Sequence, residues 1–585
     1  MHWIDWTIVG VYAVSALLIG FYFTKKASEG IEDFFVAGRS LGWFVLGTSM
    51  VATTFSADTP LWVAGISRSE GIYENWLWWS AAMAGMAGVF FFAHLWRRSG
   101  VVTEIEFIAL RYMPSKWNDA LRIFKVGFEG IIMNCILMGG VTIAVSKIIT
   151  AIVPESVAYS MSFPLIGDVS GTALLVIVLG LTAVFYCSLS GLYGVVYTDL
   201  IQFGLAMVGS IAMAIIIYNQ GSEGGLLANL NKAEGFDEKL LRFFPSFEKF
   251  DLTAFTFVVY MTISWWGASS ASGNMVQRLL SAKTENDAVK GFFWYNICHY
   301  IIRPWPWIIV GILSLIYLPN LDDPETAFPL MINEFMPIGL KGIMVASLFA
   351  AYMSTIDTHL NWGSSYVVND FYKPFIKKKA DPKHYVRVAR IVMLMITLLA
   401  IIVASQIDSI LQLYKYVLLV GGGIGTILIA RWYWWRVNLQ AELTAYILSF
   451  VLAPILTVYL TNGPDSDYFA IRLIIITTVV TIAWVVVAFI TNPAPNSQAI
   501  AFHKKMKIGG IGWRKVGTLT GIKGEDSRIP RSILGWVLGC TMLYGFLIGT
   551  GKLLFHQSVG WWFISIGLAS AFLLNKYVLK KILLK

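Results

Sequence analysis

Long apolar runs dominate the pattern of this chain, and short polar or charged stretches separate them. A helix needs about 20 mostly apolar residues to cross a bilayer. Fifteen such runs are read, centred near residues 14, 54, 86, 138, 180, 206, 260, 305, 353, 397, 421, 451, 480, 541 and 567. The pattern predicts an all-α polytopic membrane protein with about 15 transmembrane helices. The first run, Ile8 to Phe23, follows Met-His-Trp-Ile-Asp. It has no basic leader and no small-residue cleavage site, so a retained helix is expected. Composition agrees: 57% of residues are hydrophobic and 14% charged, against about 25% charged in a soluble globular chain. Cys135, Cys187, Cys298 and Cys540 stand singly in apolar stretches. That excludes a disulfide scaffold and a CxxC zinc or redox motif.

The net charge of +9 would point to nucleic acid in a soluble protein. Here its distribution reads as topology, the bilayer is the partner, and no nucleic-acid partner is expected. Lys and Arg stay on the cytoplasmic side of a membrane. With the N-terminus outside, the cytoplasmic segments are 24–42, 97–125, 272–291, 369–390, 431–438, 492–531 and 576–585, and they hold 33 of the 44 Lys and Arg. The opposite loops 153–170, 319–338 and 462–469 hold none. The expectation is a multi-pass cell (inner) membrane protein with its C-terminus in the cytoplasm. Residues 219–251 read as a long outer loop, with an amphipathic surface helix from Leu227 to Phe244. Residues 492–530, basic and Gly-rich, read as a linker on the inner side.

Ionisable side chains in a span are costly unless they face a cavity, a partner or an ion path. Asp58, Glu129, Asp199, Arg303, Asp357 and Lys415 fall within or at the edge of spans. Two spans are also interrupted. One reads Gly47-Thr-Ser-Met-Val-Ala-Thr-Thr-Phe-Ser-Ala-Asp-Thr-Pro60, and the other ends in Trp265-Trp-Gly-Ala-Ser-Ser-Ala-Ser-Gly273. Proline disfavours helix in the residue before it, and non-helical backbone at membrane depth survives only where protein or a cavity lines it. The breaks lie five spans apart. Matching breaks in two halves of a transporter point to its binding site, and an odd offset makes the halves an inverted repeat.

Several motifs resemble those of the sodium:solute symporter family. They are Asp33-Phe-Phe-Val-Ala-Gly-Arg-Ser-Leu-Gly42, Thr103-Glu-Ile-Glu-Phe-Ile-Ala-Leu-Arg-Tyr112 (with Ile105 where the family usually has Pro) and Ser190-Gly-Leu-Tyr-Gly-Val-Val-Tyr-Thr-Asp-Leu-Ile-Gln202. Further along stand Val276-Gln-Arg-Leu-Leu-Ser-Ala-Lys283 and Ala350-Ala-Tyr-Met-Ser-Thr355, the latter followed by Ser364-Ser365 and Asp370-Phe-Tyr372. The matches run in order over residues 1 to about 445. The resemblance implies a LeuT-type fold: a lead helix with its loop (1–42), a first repeat (43–218), an outer loop (219–251), an inverted second repeat (252–438) and peripheral helices (439–585). It implies a sodium-coupled symporter importing a small polar organic solute, of the sugar, amino acid or carboxylate class, by alternating access.

Sodium is a hard cation and takes oxygen ligands. The resemblance places one sodium site at the carbonyls of Ala52, Phe55 and Ala351 and the hydroxyls of Ser354 and Thr355. The bland alternative is that both hydroxyls bond back to their own helix. A second cation site is implied at Asp199, Asp357 and Thr358. Ser354, Asp357, Thr358 and Asn361 share one helix face by spacing. There the alternatives are a protonated carboxylate or an ion pair with Lys147, Lys415 or Arg303. The substrate pocket is expected at Ser56, Asp58, Thr59, Glu74, Trp265, Trp266 and Ser269. Sugar-transporting relatives carry Gln where Thr59 stands and Lys about where Tyr300 stands, while Glu74 matches their glutamate. No HExxH or GxSxG motif is present, and the histidines are scattered, so neither an enzyme nor a metal site other than sodium is expected. A solute sensor on the same fold is the rival reading. It would normally need an attached signalling domain, and no stretch reads as one.

Overall fold

The computed structural model describes the chain except residues 154–160, 164–166, 249–250, 405–409, 461–464, 493, 523 and 584–585. It is almost wholly helical; a hairpin of two short strands, Met161–Phe163 and Gly167–Val169, is the exception among the described residues. In chain order the main helices are α1 (Trp3–Ala27), α2 (Trp43–Thr54), α3 (Asp58–Ser69), α4 (Ile72–Ser99), α5 (Lys116–Ile152), α6 (Gly171–Ser222), α7 (Leu252–Ala268) and α8 (Glu285–Tyr317). They continue as α9 (Leu340–Ile376), α10 (Pro382–Val403), α11 (Leu413–Tyr433), α12 (Leu439–Tyr459), α13 (Tyr468–Thr491), α14 (Arg528–Leu554) and α15 (Gly560–Leu583). Twelve of these, among the described residues, are long and apolar enough to cross a membrane. The chain divides into two compact units, Met1–Asn75 with Val126–Phe243 and Ile302–Leu413, and Trp76–Lys125 with Phe244–Ile301 and Tyr414–Lys585.

In the first unit, α6 has 52 residues, which as a straight rod would be about 78 Å long, well over twice a ~30 Å hydrocarbon core. It does not run straight. Gly191 has φ 52° and ψ −147°, a conformation open only to glycine. The Tyr186 hydroxyl donates to Asp357 Oδ2, and Asp199 bonds Ser354. Tyr186 and Asp199 would be about 20 Å apart on a straight helix, yet their partners lie three residues apart on α9. The helix therefore folds back at Gly191. A Cβ there would lie 2.5 Å from the Phe34 carbonyl oxygen. Helix α1 packs along the fold: Phe23 stacks on Tyr193 and Tyr197, and Gln202 donates to the Tyr12 hydroxyl at 2.7 Å. Asp5 of α1 accepts from the amides of Gly339 and Gly342 at 2.8 and 3.0 Å, which caps the N-terminus of α9. Among the described residues, the twelve candidate spans stand against the fifteen runs expected; the second arm of α6 and the shorter α2–α3 and α7 stretches correspond to the other three.

The outer loop differs from expectation. In place of a helix from Leu227 to Phe244 there are a short helix, Leu226–Leu230, and a single 3-10 turn, Glu238–Leu241. Gly235, with φ 80°, and Asp237, whose carboxylate caps Lys239, end helix propagation between them. Leu230, Leu240, Leu241 and Phe243 are buried, and Phe243 packs on Trp305 of α8 with ring centres 5.7 Å apart.

In the second unit, Gly421 to Gly425 lets α11 approach α7 closely: a Cβ on Gly267 would lie 2.6 Å from the Gly421 carbonyl oxygen. Buried charges hold the base of this unit. Arg431 bridges Glu104 at 2.9 Å and Glu442 at 3.2 Å, and Lys125 stands 3.7 Å from Glu104. Tyr112 donates to Glu442, and Arg111 donates to the carbonyls of Arg431, Trp434 and Val437. Burial alone would raise the Glu104 carboxyl, but the cations of Lys125 and Arg431 hold it below the usual carboxylate range. Its stabilising contribution is therefore complete above the ordinary glutamate pKa of about 4.3 and is lost as the pH falls further.

The 492–530 segment is not a linker. It forms helices Ser497–Met506 and Arg514–Thr520. Phe502, Met506, Trp513 and Val516 are buried, and the Trp513 indole donates to the Trp432 carbonyl at 2.7 Å. Its glycines and lysines masked an apolar face long enough to fold it down onto the unit.

Two outcomes are expected. Gly191→Ala forces a side chain into a glycine-only conformation, at a cost of roughly 1–3 kcal/mol before any clash. Its melting temperature in detergent should fall by several degrees; an unchanged value would contradict the fold-back geometry. Arg431→Met leaves buried Glu442 without its cation and Glu104 with Lys125 alone, and should cost about 3–5 kcal/mol, read as lower yield of folded protein and earlier thermal unfolding. Glu442→Gln, which removes one charge and keeps the hydrogen-bonding shape, should cost less.

Candidate functional site

The site in the first unit begins with the interruption between α2 and α3. The ladder of α2 stops at Thr54, and Phe55 turns out of it with φ −86° and ψ 68°. The Phe55 amide still reaches the carbonyls of Val51 and Ala52, at 2.9 and 3.0 Å. Helix α3 restarts at Asp58 and carries Pro60 in its first turn, where a missing amide proton costs no helical bond. The sequence located the break through Pro60, but the chain leaves the helix five residues earlier. Arg303, buried on α8, closes the C-terminal end of α2. It donates to Thr54 Oγ1 at 3.1 Å and lies 5.0 Å over the Trp307 ring. A cation at that end meets the negative pole of the helix.

Beside the break stands the buried carboxylate of Asp199, on the second arm of α6. Ser49 of α2 donates to its Oδ2 at 2.5 Å, and Ser354 of α9 donates to its Oδ1 at 2.6 Å. One turn along, Thr53 donates to the Ser49 carbonyl and its oxygen lies 3.4 Å from Thr358 Oγ1. Asp357 accepts from Tyr186 on the first arm of α6, and Cys187 reaches the Asp357 carbonyl. Ser49, Asp199, Ser354, Asp357 and Thr358 are all fully buried. The structure thus joins Ser354 directly to Asp199, two residues the sequence assigned to separate sites. Thr355 donates to the Ala351 carbonyl at 2.9 Å. A hydroxyl has one proton and two lone pairs, so Ser354 and Thr355, their protons engaged, still present oxygen lone pairs to a cation.

Lys147 is committed elsewhere: it bridges Asp323 at 2.8 Å and Glu325 at 2.6 Å. Those loop carboxylates, and not Asp199 or Asp357, answer its charge. Ser56, Asp58 and Thr59 stand at and just past the break, Thr59 donating to the Thr54 carbonyl at 3.5 Å. Glu74 lies on the turn that opens α4. Ser49, Thr53 and Tyr186 are the residues that sequence reasoning missed. The signal for the first two was present, because Ser49 and Thr53 lie at i and i+4 on a helix otherwise rich in apolar residues.

The second unit carries the other interruption, with its own partners. At its end α7 tightens into a 3-10 turn at Ser264–Ala268, and beyond it Ala271 and Gly273 adopt left-handed φ of 55° and 57°. The backbone groups freed there are met by side chains. Trp96 donates to the Ser270 carbonyl at 2.6 Å, and Glu104 accepts from the Gly273 amide at 2.9 Å. Ser269 bonds back to the Trp265 carbonyl. Trp265 packs on Trp536 of α14, ring centres 5.5 Å apart, and Trp266 meets Trp265 edge-on.

The model of the sodium:solute symporter family matches residues 34–449. The sodium/glucose cotransporter of Vibrio parahaemolyticus is 24% identical over 503 residues, which cover 80% of this chain and 87% of that protein. The osmoregulated proline transporter OpuE of Bacillus subtilis is 22% identical over 499 residues, covering 84% and 96%. Among solved structures, a sodium-coupled sialic acid symporter in a substrate-bound outward-open state superposes with a TM-score of 0.65 at 21% identity, covering 85% of this chain and 99% of that one. That likeness establishes a LeuT-type fold. The relatives are transporters, not enzymes. This multi-pass membrane chain belongs to the sodium:solute symporter family.

Proposed function

We propose that the chain imports a small polar organic solute, of the sugar, amino acid or carboxylate class, together with sodium by alternating access. The observation that carries this reading is the Asp199 cluster. A buried carboxylate gathers one hydroxyl from the broken helix and one from α9, so those two helices and α6 meet in an oxygen-rich, water-poor place. In this reading one sodium ion takes the carbonyls of Ala52, Phe55 and Ala351 and the lone pairs of Ser354 and Thr355. A second cation lies by Asp199, Asp357 and Thr358. Ser56, Asp58, Thr59 and Glu74, at and just past the first break, are the residues this reading assigns to the solute. Residues 43–218 and 252–438 act as inverted repeats, and the N-terminus lies outside. The names of the relatives, with glucose in one and proline in another, support a polar organic solute and no narrower class.

The coupling follows from linkage. Sodium drawn between α2 and α9 favours the conformation that binds solute, and solute must then raise sodium affinity by the same factor. An inward-negative potential adds ~2.3 kcal/mol per charge per 100 mV.

Sodium-driven uptake of candidate sugars, amino acids and carboxylates into proteoliposomes tests the reading. Accumulation that collapses with the sodium gradient is expected. Saturable binding of solute and sodium without accumulation would replace transport by sensing. Changing Ser354→Ala together with Thr355→Ala should raise the sodium concentration for half-maximal uptake at least tenfold, equivalent to ~1.4 kcal/mol. An unchanged sodium dependence would remove these residues from the site. The variants Asp199→Asn and Asp357→Asn should act non-additively on sodium cooperativity, because residues sharing one ligand behave as a unit. A wild-type Hill coefficient of one with additive variants would dismiss the second cation. Intact cooperativity with a flattened pH profile would make Asp357 a proton carrier instead.

A further inference from the structure

Four stretches that the charge pattern assigns to one face of the membrane meet in the second unit around a cavity of about 500 Å3. Arg98 comes from the end of α4, Glu285 from the start of α8, Glu525 from just before α14 with Arg528 and Arg531 in its first turn, and Lys581 from the end of α15. The charges there do not balance. Arg98 donates to both oxygens of Glu285 at 3.0 and 2.9 Å and stands 3.0 Å from Glu525. Arg528 reaches the other oxygen of Glu525 at 3.6 Å. The two glutamates are thereby answered by the two arginines. Arg531 and Lys581 line the same cavity with no acidic partner among the described residues. Two positive charges are left over, one of them a guanidinium suited to paired phosphate oxygens.

The depth of the cavity identifies the source of the anion. Trp561 and Trp562 are exposed at the start of α15, and Tyr577 is exposed near its end, the positions of two interfacial aromatic belts. From Trp562 to Lys580 the helix rises about 27 Å, close to the ~30 Å of a hydrocarbon core. Lys581 therefore sits at headgroup level. Between the belts Leu568, Phe572 and Leu573 are exposed, an apolar track against which acyl chains can lie. Basic pockets between transmembrane helices bind acidic lipid headgroups on this principle.

We propose that this cavity binds the phosphate of an anionic phospholipid, with Arg531 and Lys581 supplying the charge that holds it. The full chain is reconstituted in nanodiscs of phosphatidylcholine alone or mixed with phosphatidylglycerol, and its melting temperature is recorded. Wild-type protein should melt several degrees higher in the acidic discs. Arg531→Gln with Lys581→Gln should match wild type in phosphatidylcholine and lose that rise, while Arg531→Lys with Lys581→Arg should keep it. Lys581→Gln alone, at an exposed position that leaves folding intact, should retain roughly fivefold less phosphatidylglycerol by native mass spectrometry. No rise for wild type, an equal rise for the neutralised variant, or equal lipid retention by Lys581→Gln would each overturn the proposal. So would an equal rise produced by inorganic phosphate in detergent, which would make the ligand a free anion.

Discussion

A carboxylate sealed away from water must receive its hydrogen bonds from the protein, and Asp199 imposes that condition on three helices at once. Its two oxygens take the hydroxyls of Ser49 and Ser354, so the middle of α2, the second arm of α6 and the middle of α9 are held at hydrogen-bond distance. An unmet buried charge costs several kcal/mol, and the packing around the break is subordinate to avoiding that cost. The Tyr186 contact to Asp357 applies the same rule to the first arm of α6. Hydroxyls whose protons are engaged in this way keep their oxygen lone pairs, and such oxygens are the donors a hard cation takes.

The two interruptions solve one problem in different ways. Backbone freed from a helix at membrane depth must find partners. At Phe55 the answer is short range: its amide shares two carbonyls of its own last turn, and Arg303 covers the end of the helix. At Ser270 and Gly273 the answer is long range, through Trp96 and Glu104. Glu104 is itself anchored by Arg431 and Lys125. The second break is thus fastened to the buried ion network of its own unit.

Much of this was readable from residues alone. Apolar runs give spans reliably because a bilayer admits little else, and the breaks were marked by Pro60 and by the small polar run ending at Gly273. The contacts of Ser354 were less accessible. Spacing places it on a helix face with Asp357, but nothing local says that Asp199, 155 residues away in sequence, will accept its proton. Composition also misled twice. The Gly-rich basic segment near 510 folds because Phe502 and Trp513 outweigh its breakers, and the apolar loop near 230 does not become a long helix because Gly235 and Asp237 interrupt it.

The fold-back of α6 carries a mechanical consequence. Tyr186 and Asp199 hang from opposite arms of one hairpin, and both arms grip the same turn of α9. Spreading the arms strains both grips together, whereas sliding one arm along its axis strains a single grip. Any change in the backbone angles of Gly191, the elbow between the arms, is therefore resisted at two points, the Tyr186 contact and the Asp199 contact.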